Sequence, residues 1–188
     1  MVTPSLVYSP GFSRRGMHMA ARRKTSTAKK QKKKKASVRT KAKPAARPAT
    51  RRRARQDALA LERARLEKNK ALVLAFYAKM IGEKDPEAAR RFMGKRYVQH
   101  SPYAKDGFEG VAEFARTFKR DFPKHTYDVK RVLAEGDFVM LHLHGKQGLS
   151  PHGEAVVDLF RVENGKVVEH WDVIQSLPEK SENPNGPF

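Results

Sequence analysis

One stretch near the C-terminus restricts the fold more than any other: Val156-Val157-Asp158-Leu159-Phe160-Arg161-Val162-Glu163-Asn164-Gly165-Lys166-Val167-Val168-Glu169-His170-Trp171-Asp172-Val173. Two runs of β-branched and aromatic residues flank Asn164-Gly165. That pair tolerates positive φ at both positions and is the strongest short-range signal for a β-hairpin. Asp158, His170 and Asp172 interrupt strands that otherwise read as half buried, and a buried carboxylate needs partners.

The register decides which of these residues meet. With Asn164-Gly165 as a two-residue turn, Glu163 pairs with Lys166, Asp158 falls opposite Trp171, and Asp158 and Asp172 face opposite ways. With Glu163-Asn164-Gly165 as a three-residue loop and Gly165 in a bulge, Val162 pairs with Lys166 and Asp158 lands opposite His170. Asp158, Phe160, Val168, His170 and Asp172 then share one face. The second register is the expectation, because it groups the ionisable residues where they satisfy one another.

Upstream, apolar residues recur at helical spacing: Leu59, Leu61, Ala64 and Leu66, then Leu72/Val73, Phe76/Tyr77 and Met80/Ile81, with Gly82 as the stop. The half of this helix before Lys70 is mostly charged and reads as a solvated face. Asp85 and Pro86 open a second helix through Met93, ended by Gly94. Tyr97 to Pro102 reads as a short strand, and Val111, Phe114/Ala115, Phe118 and Phe122 as the stripe of a third helix. Thr126–Leu133 and Phe138–His144 alternate as strands before the hairpin. Three helices followed by a strongly curved antiparallel sheet make an α+β fold, whose open end is a natural small-molecule pocket.

Charge is divided unevenly along the chain. Residues 1–56 hold 19 Lys and Arg and no acid, whereas residues 57–188 hold 21 basic residues against all 20 acidic ones. The division predicts a disordered Lys/Arg/Ala-rich tail over 1–56, a domain over 57–180 and an extension over 181–188. Residues 14–55 suit sequence-independent attraction to nucleic acid or another polyanion. An organelle transit peptide, or a start at Met17 or Met19, remains open for the same segment. No cysteine is present, which fits a reducing, cytoplasmic setting and excludes a thiol nucleophile and a disulfide framework. No apolar run approaches the length of a membrane span.

The order of elements, Tyr97-Val98-Gln99-His100, Ala134-Glu135-Gly136-Asp137 before a strand, and the run from Asp158 to Asp172 resemble the SnoaL-like branch of the nuclear transport factor 2-like superfamily. The likeness covers about residues 69–188. It implies a cone-shaped α+β barrel, usually a homodimer, with polyketide cyclases acting by aldol condensation, ketosteroid isomerases and noncatalytic binding modules among its members. In the cyclases the carboxylate matching Asp172 is the general acid/base, and a histidine stands where this chain has Asp158.

Two carboxylates in an apolar pocket repel, so the pair is expected to share a proton. Asp172, Asp158, His170 and His100 are therefore the candidate catalytic residues. Tyr97, His142, Phe160, Trp171 and Phe76 are the candidate contacts for an apolar carbonyl substrate, and Tyr97, His142, His100 or protonated Asp158 would stabilise an enolate. Neither a cofactor nor a metal is expected: His142 and His144 have cupin-like i, i+2 spacing, but Gly148 and Leu149 stand where its glutamate would be. The competing expectation is a noncatalytic small-molecule or partner-binding module tethered to nucleic acid by the tail.

Overall fold

A computed structural model describes residues 48–188. Most of the tail expected over 1–56 lies outside the described residues. Helix α1 (Pro48–Tyr77) runs into a π-helical turn (Ala78–Gly82), followed by α2 (Pro86–Arg90), β1 (Met93–Gln99), α3 (Gly107–Asp121), β2 (Thr126–Glu135), β3 (Phe138–Lys146), β4 (Glu154–Glu163) and β5 (Lys166–Ser176).

Helix α1 begins inside the segment expected to lack structure. Its first turns contain Arg51, Arg52, Arg53, Ala54 and Arg55, good helix formers that continue the register of the residues behind them. Everything from Ala49 to Arg65 is exposed, and Arg65 ties this part of the helix to Glu62 and to Asp137 in the β2–β3 turn. The buried stripe starts later, with Val73, Phe76, Tyr77 and Met80.

Asp85 caps α2 by accepting the Ala88 backbone N–H at 3.0 Å. The helix stops at Arg90 rather than Met93, because Met93 is already in β1, paired with Val167.

The sheet order is β1-β5-β4-β3-β2. Strands β2 to β5 pair antiparallel, whereas β1 lies parallel to β5, which corrects the purely antiparallel sheet expected from sequence. The intervening α3 and the three strands after it return the chain to β1's side in β1's own direction. The sheet is curved and unclosed, with β1 and β2 at its edges. One face packs on the helices: Val73, Phe76, Tyr77 and Met80 meet Val139, Leu141 and Leu143 of β3, Phe160 and Val162 of β4, Val167 of β5 and Val111 and Ala115 of α3. Burying these side chains stabilises the domain by about 1.5–3 kcal/mol for each large residue.

The hairpin differs from both expected registers. Asn164 (φ 51°) and Gly165 (φ 69°) form the two-residue turn, with Glu163 opposite Lys166. One step later, Val162 pairs with Val167 and Arg161 with Glu169, leaving Val168 as an extra residue in β5. Beyond this bulge Phe160 stands opposite His170 and Asp158 opposite Asp172. The bulge turns Val168 away from the core, where it lies beside Gly94, and Val167 takes the inward position.

Candidate active site

Alternation along the pleat points Glu154, Val156, Asp158 and Phe160 of β4 inward, and the bulge aligns His170, Asp172 and Ile174 of β5 with them. Helix α1 supplies Phe76 and Tyr77, β1 supplies Tyr97 and Gln99, and α3 supplies Val111, Phe114 and Phe118. Together they line a cavity of about 100 Å³. The π-helical turn widens the helix where Tyr77, Met80 and Ile81 reach this cavity.

A continuous chain of hydrogen bonds crosses the sheet side of the cavity. Asp158 Oδ1 lies 2.9 Å from His170 Nε2, and His170 Nδ1 lies 2.8 Å from Gln99 Oε1. Gln99 Oε1 also accepts the Ser101 backbone N–H at 3.0 Å, while the Ser101 hydroxyl donates to Asp172 Oδ2 at 2.7 Å. Asp158 and His170 are 4% and 9% exposed.

Donor and acceptor roles follow from one fixed point. The Ser101 N–H can only donate, so the Gln99 amide presents its oxygen, and His170 Nδ1 must carry a proton to donate to the same atom. One proton then bridges Nε2 and Asp158 Oδ1, either as imidazolium facing carboxylate or as neutral imidazole facing carboxylic acid. In both forms the Asp158–His170 pair has no net charge. Asp172, directly opposite Asp158, accepts the Ser101 hydroxyl and has no cationic partner among the described residues.

Two phenols complete the polar lining. Burial, followed by the charge of Asp158 and a hydrogen bond to it, raises the Tyr77 phenol well above its ordinary pKa. Burial also raises Tyr97, with Asp158 and then Asp172 adding to the effect. Both groups therefore remain hydrogen-bond donors in the working pH range. Asp158, His170 and Asp172 are also the one cluster among the described residues whose ligand atoms lie close enough, within 4.8 Å, to hold a cation. Both His170 nitrogens are already engaged, so a cation would have to displace the bridging proton.

Of the residues singled out from sequence, Asp158, Asp172, His170, Tyr97, Phe160 and Phe76 line the cavity. His100, Trp171 and His142 do not. His100 stacks on Trp171 at 4.7 Å and contacts Glu169 at 3.0 Å, with its side chain 40% exposed. His142 contacts Arg131 at 2.9 Å and packs beside Phe188. The cause is the pleat: Trp171 alternates with the inward His170 and Asp172, and His142 with the inward Leu141 and Leu143. Tyr77, Gln99, Ser101, His125 and Glu154 were missed as lining residues. The same alternation could have found Gln99 from Tyr97 and Glu154 from Asp158.

Residues 71–181 match the SnoaL-like polyketide cyclase family model. Among solved structures, a putative hydroxylase, AclR from Streptomyces galilaeus, is 26% identical over 58% of this chain and 90% of its own (TM-score 0.49). A putative polyketide cyclase from Bacillus cereus ATCC 10987 is 20% identical over 57% of this chain and 74% of its own (TM-score 0.49). IdmH, a putative polyketide cyclase from Streptomyces antibioticus, is 21% identical over 56% of this chain and 91% of its own (TM-score 0.48). No curated protein matches the sequence.

Proposed function

The chain belongs to the SnoaL-like polyketide cyclase family, and from that premise we propose that its side chains move a proton at the carbon α to a carbonyl in a small, largely apolar compound. The supporting observation is the hydrogen-bond chain that separates two opposed carboxylates. Asp158 shares the His170 proton, and Asp172, held by the Ser101 hydroxyl, keeps the role of base. Asp172 removes the α-proton, and the electron pair of that C–H bond moves onto the carbonyl oxygen as an enolate. Tyr97, Tyr77 or the proton of the Asp158–His170 pair donates to that oxygen. If the enolate carbon attacks a second carbonyl of the same molecule, that carbonyl's oxygen takes up the C=O electron pair and then the proton from Asp172, and the result is aldol cyclisation. If the proton returns at another carbon, the result is isomerisation.

A substrate-independent test is the exchange of α-hydrogens of 4-phenylbutan-2-one for deuterium, followed by proton NMR in D2O. The full chain is expected to accelerate exchange, and Asp172→Asn to lose about 10²–10⁴-fold of that acceleration. Equal rates in the two proteins would remove Asp172 from the mechanism.

Two associations accompany this reading. Exposed Leu133, Phe138 and Val173 support a homodimer through the outer sheet face, which sedimentation of the full chain would test. Exposed Arg51, Arg52, Arg53 and Arg55 on α1 support a salt-dependent attachment of the basic segment to nucleic acid. Deleting residues 1–56 should abolish DNA retention in low salt.

A further inference from the structure

A second polar cluster lines the same cavity, four residues along β4 from Asp158. Glu154 and Asp158 are both buried on the inner face, about 13 Å apart along the strand, with Val156 between them. Glu154 is 3% exposed, and its Oε1 accepts the Ser150 backbone N–H. Its other oxygen and the His125 imidazole both border Gly145 and Gly148. A Cβ on Gly145 would stand 2.7 Å from Glu154 Oε2 and 3.5 Å from His125 Nε2, and one on Gly148 would stand 3.2 Å from Glu154 Oε2 and 2.9 Å from His125 Cδ2. Both glycines leave room for these two side chains.

His125 is held in place. Phe118 packs against its ring at 4.7 Å, and Lys84 Nζ donates to its backbone carbonyl at 3.1 Å. Yet its Nδ1 is buried without a hydrogen-bond partner among the protein groups. An unmet buried polar atom is costly, and such atoms call for a reason. Burial, and then the Lys84 charge, holds the imidazole down to about 4, so it is neutral at pH 7. A neutral imidazole offers Nδ1 as acceptor or as donor, and a hydroxyl can meet it in either form. The tie to Ser150 explains one Glu154 oxygen. It explains neither the other oxygen nor His125 Nδ1.

We infer that His125 and Glu154 form a recognition subsite for a hydrogen-bond donor, a hydroxyl or phenol, carried by the substrate at the end remote from its reacting carbonyl. The inference rests on the proton-transfer reading only for where the carbonyl sits. Val156 and Ile174, paired across β4 and β5, line the space between, so the preferred ligand is apolar in its middle and polar at both ends. The Glu154 carboxyl at the remote end favours a hydrogen-bond donor there over a second carboxylate.

The test compares three probes on the full chain: 4-phenylbutan-2-one, 4-(4-hydroxyphenyl)butan-2-one and 4-(3-oxobutyl)benzoate. By isothermal calorimetry the phenol should bind about tenfold more tightly than the unsubstituted ketone, and the benzoate no more tightly than it. His125→Phe, which keeps a ring against Phe118, should bring the phenol and the unsubstituted ketone to within about twofold of each other. Glu154→Gln should narrow the same ratio. No advantage for the phenol in the natural chain, or an advantage that survives both substitutions, overturns the subsite. Deuterium exchange without phenol preference defeats the subsite and leaves the catalytic reading standing. Phenol preference without exchange does the reverse, and failure of both ketones to bind defeats both.

Discussion

Two histidine–carboxylate pairs of almost equal length are anchored on the β4–β5 hairpin, one on each face of the sheet, the outer one through His100 of the segment after β1. Inside, His170 meets Asp158 at 2.9 Å with side chains 11% and 6% exposed; outside, His100 meets Glu169 at 3.0 Å with side chains 40% and 18% exposed. The outer pair is embedded in solvated ion pairs, since Glu169 also holds Arg161 at 2.7 Å. The inner pair is closed by Gln99 and opposed by a second carboxylate. The same two residue types therefore do different work: water screens the outer pair, whereas the inner pair must balance its own charge and so determines what Asp172 can do.

That contrast can be broken most sharply through activity. Asp172→Asn should remove most α-hydrogen exchange, whereas His100→Ala should leave the rate within about twofold. A large loss from His100→Ala would mean that the outer face takes part in the chemistry.

Stability gives the next largest effect. Asp158→Ala leaves a buried imidazole without its partner and should cost about 3 kcal/mol or more in urea denaturation, while Glu169→Ala should cost about 1 kcal/mol or less. Equal losses would erase the distinction between the faces.

A smaller effect concerns pH. The His125 pKa lies at about 4 in the folded protein against an ordinary 6.5, so folding favours the neutral ring. Its contribution to stability is complete above about pH 6.5 and is lost as the pH falls towards 4, because the unfolded chain then binds the proton more readily. The urea midpoint should fall across that window, and His125→Phe should flatten the fall. Glu169, whose carboxyl is held low by His100 and then Arg161, adds its own loss at the acid end, and Glu169→Gln separates it.

Much of this arrangement was legible in the sequence, though not always for the right reason. The helical stripes, the Asn164-Gly165 turn and the strand alternation placed the core correctly. Asp158, His170 and Asp172 were placed on one face through a three-residue loop, whereas the structure uses a two-residue turn and a bulge at Val168. The two devices shift the register in opposite directions by one residue each, so facing survived while the pairing moved by two. Nothing in Val167-Val168 marks a bulge, because both residues suit a regular strand. Trp171 and His142 do not line the cavity, because the period of two along each strand turns both to the outer face. His125 was hidden differently: it sits in the turn before β2, where no periodicity applies, and only the folding of the chain brings it to the cavity that Glu154 also lines.

The most direct test of the central claim is the location of one proton. Long-range proton–nitrogen NMR of the labelled chain at pH 7 should show His170 protonated at Nδ1, donating to Gln99, with the remaining proton shared with Asp158. A bare Nδ1 would contradict the account, since Asp158 would then hold a full charge against Asp172.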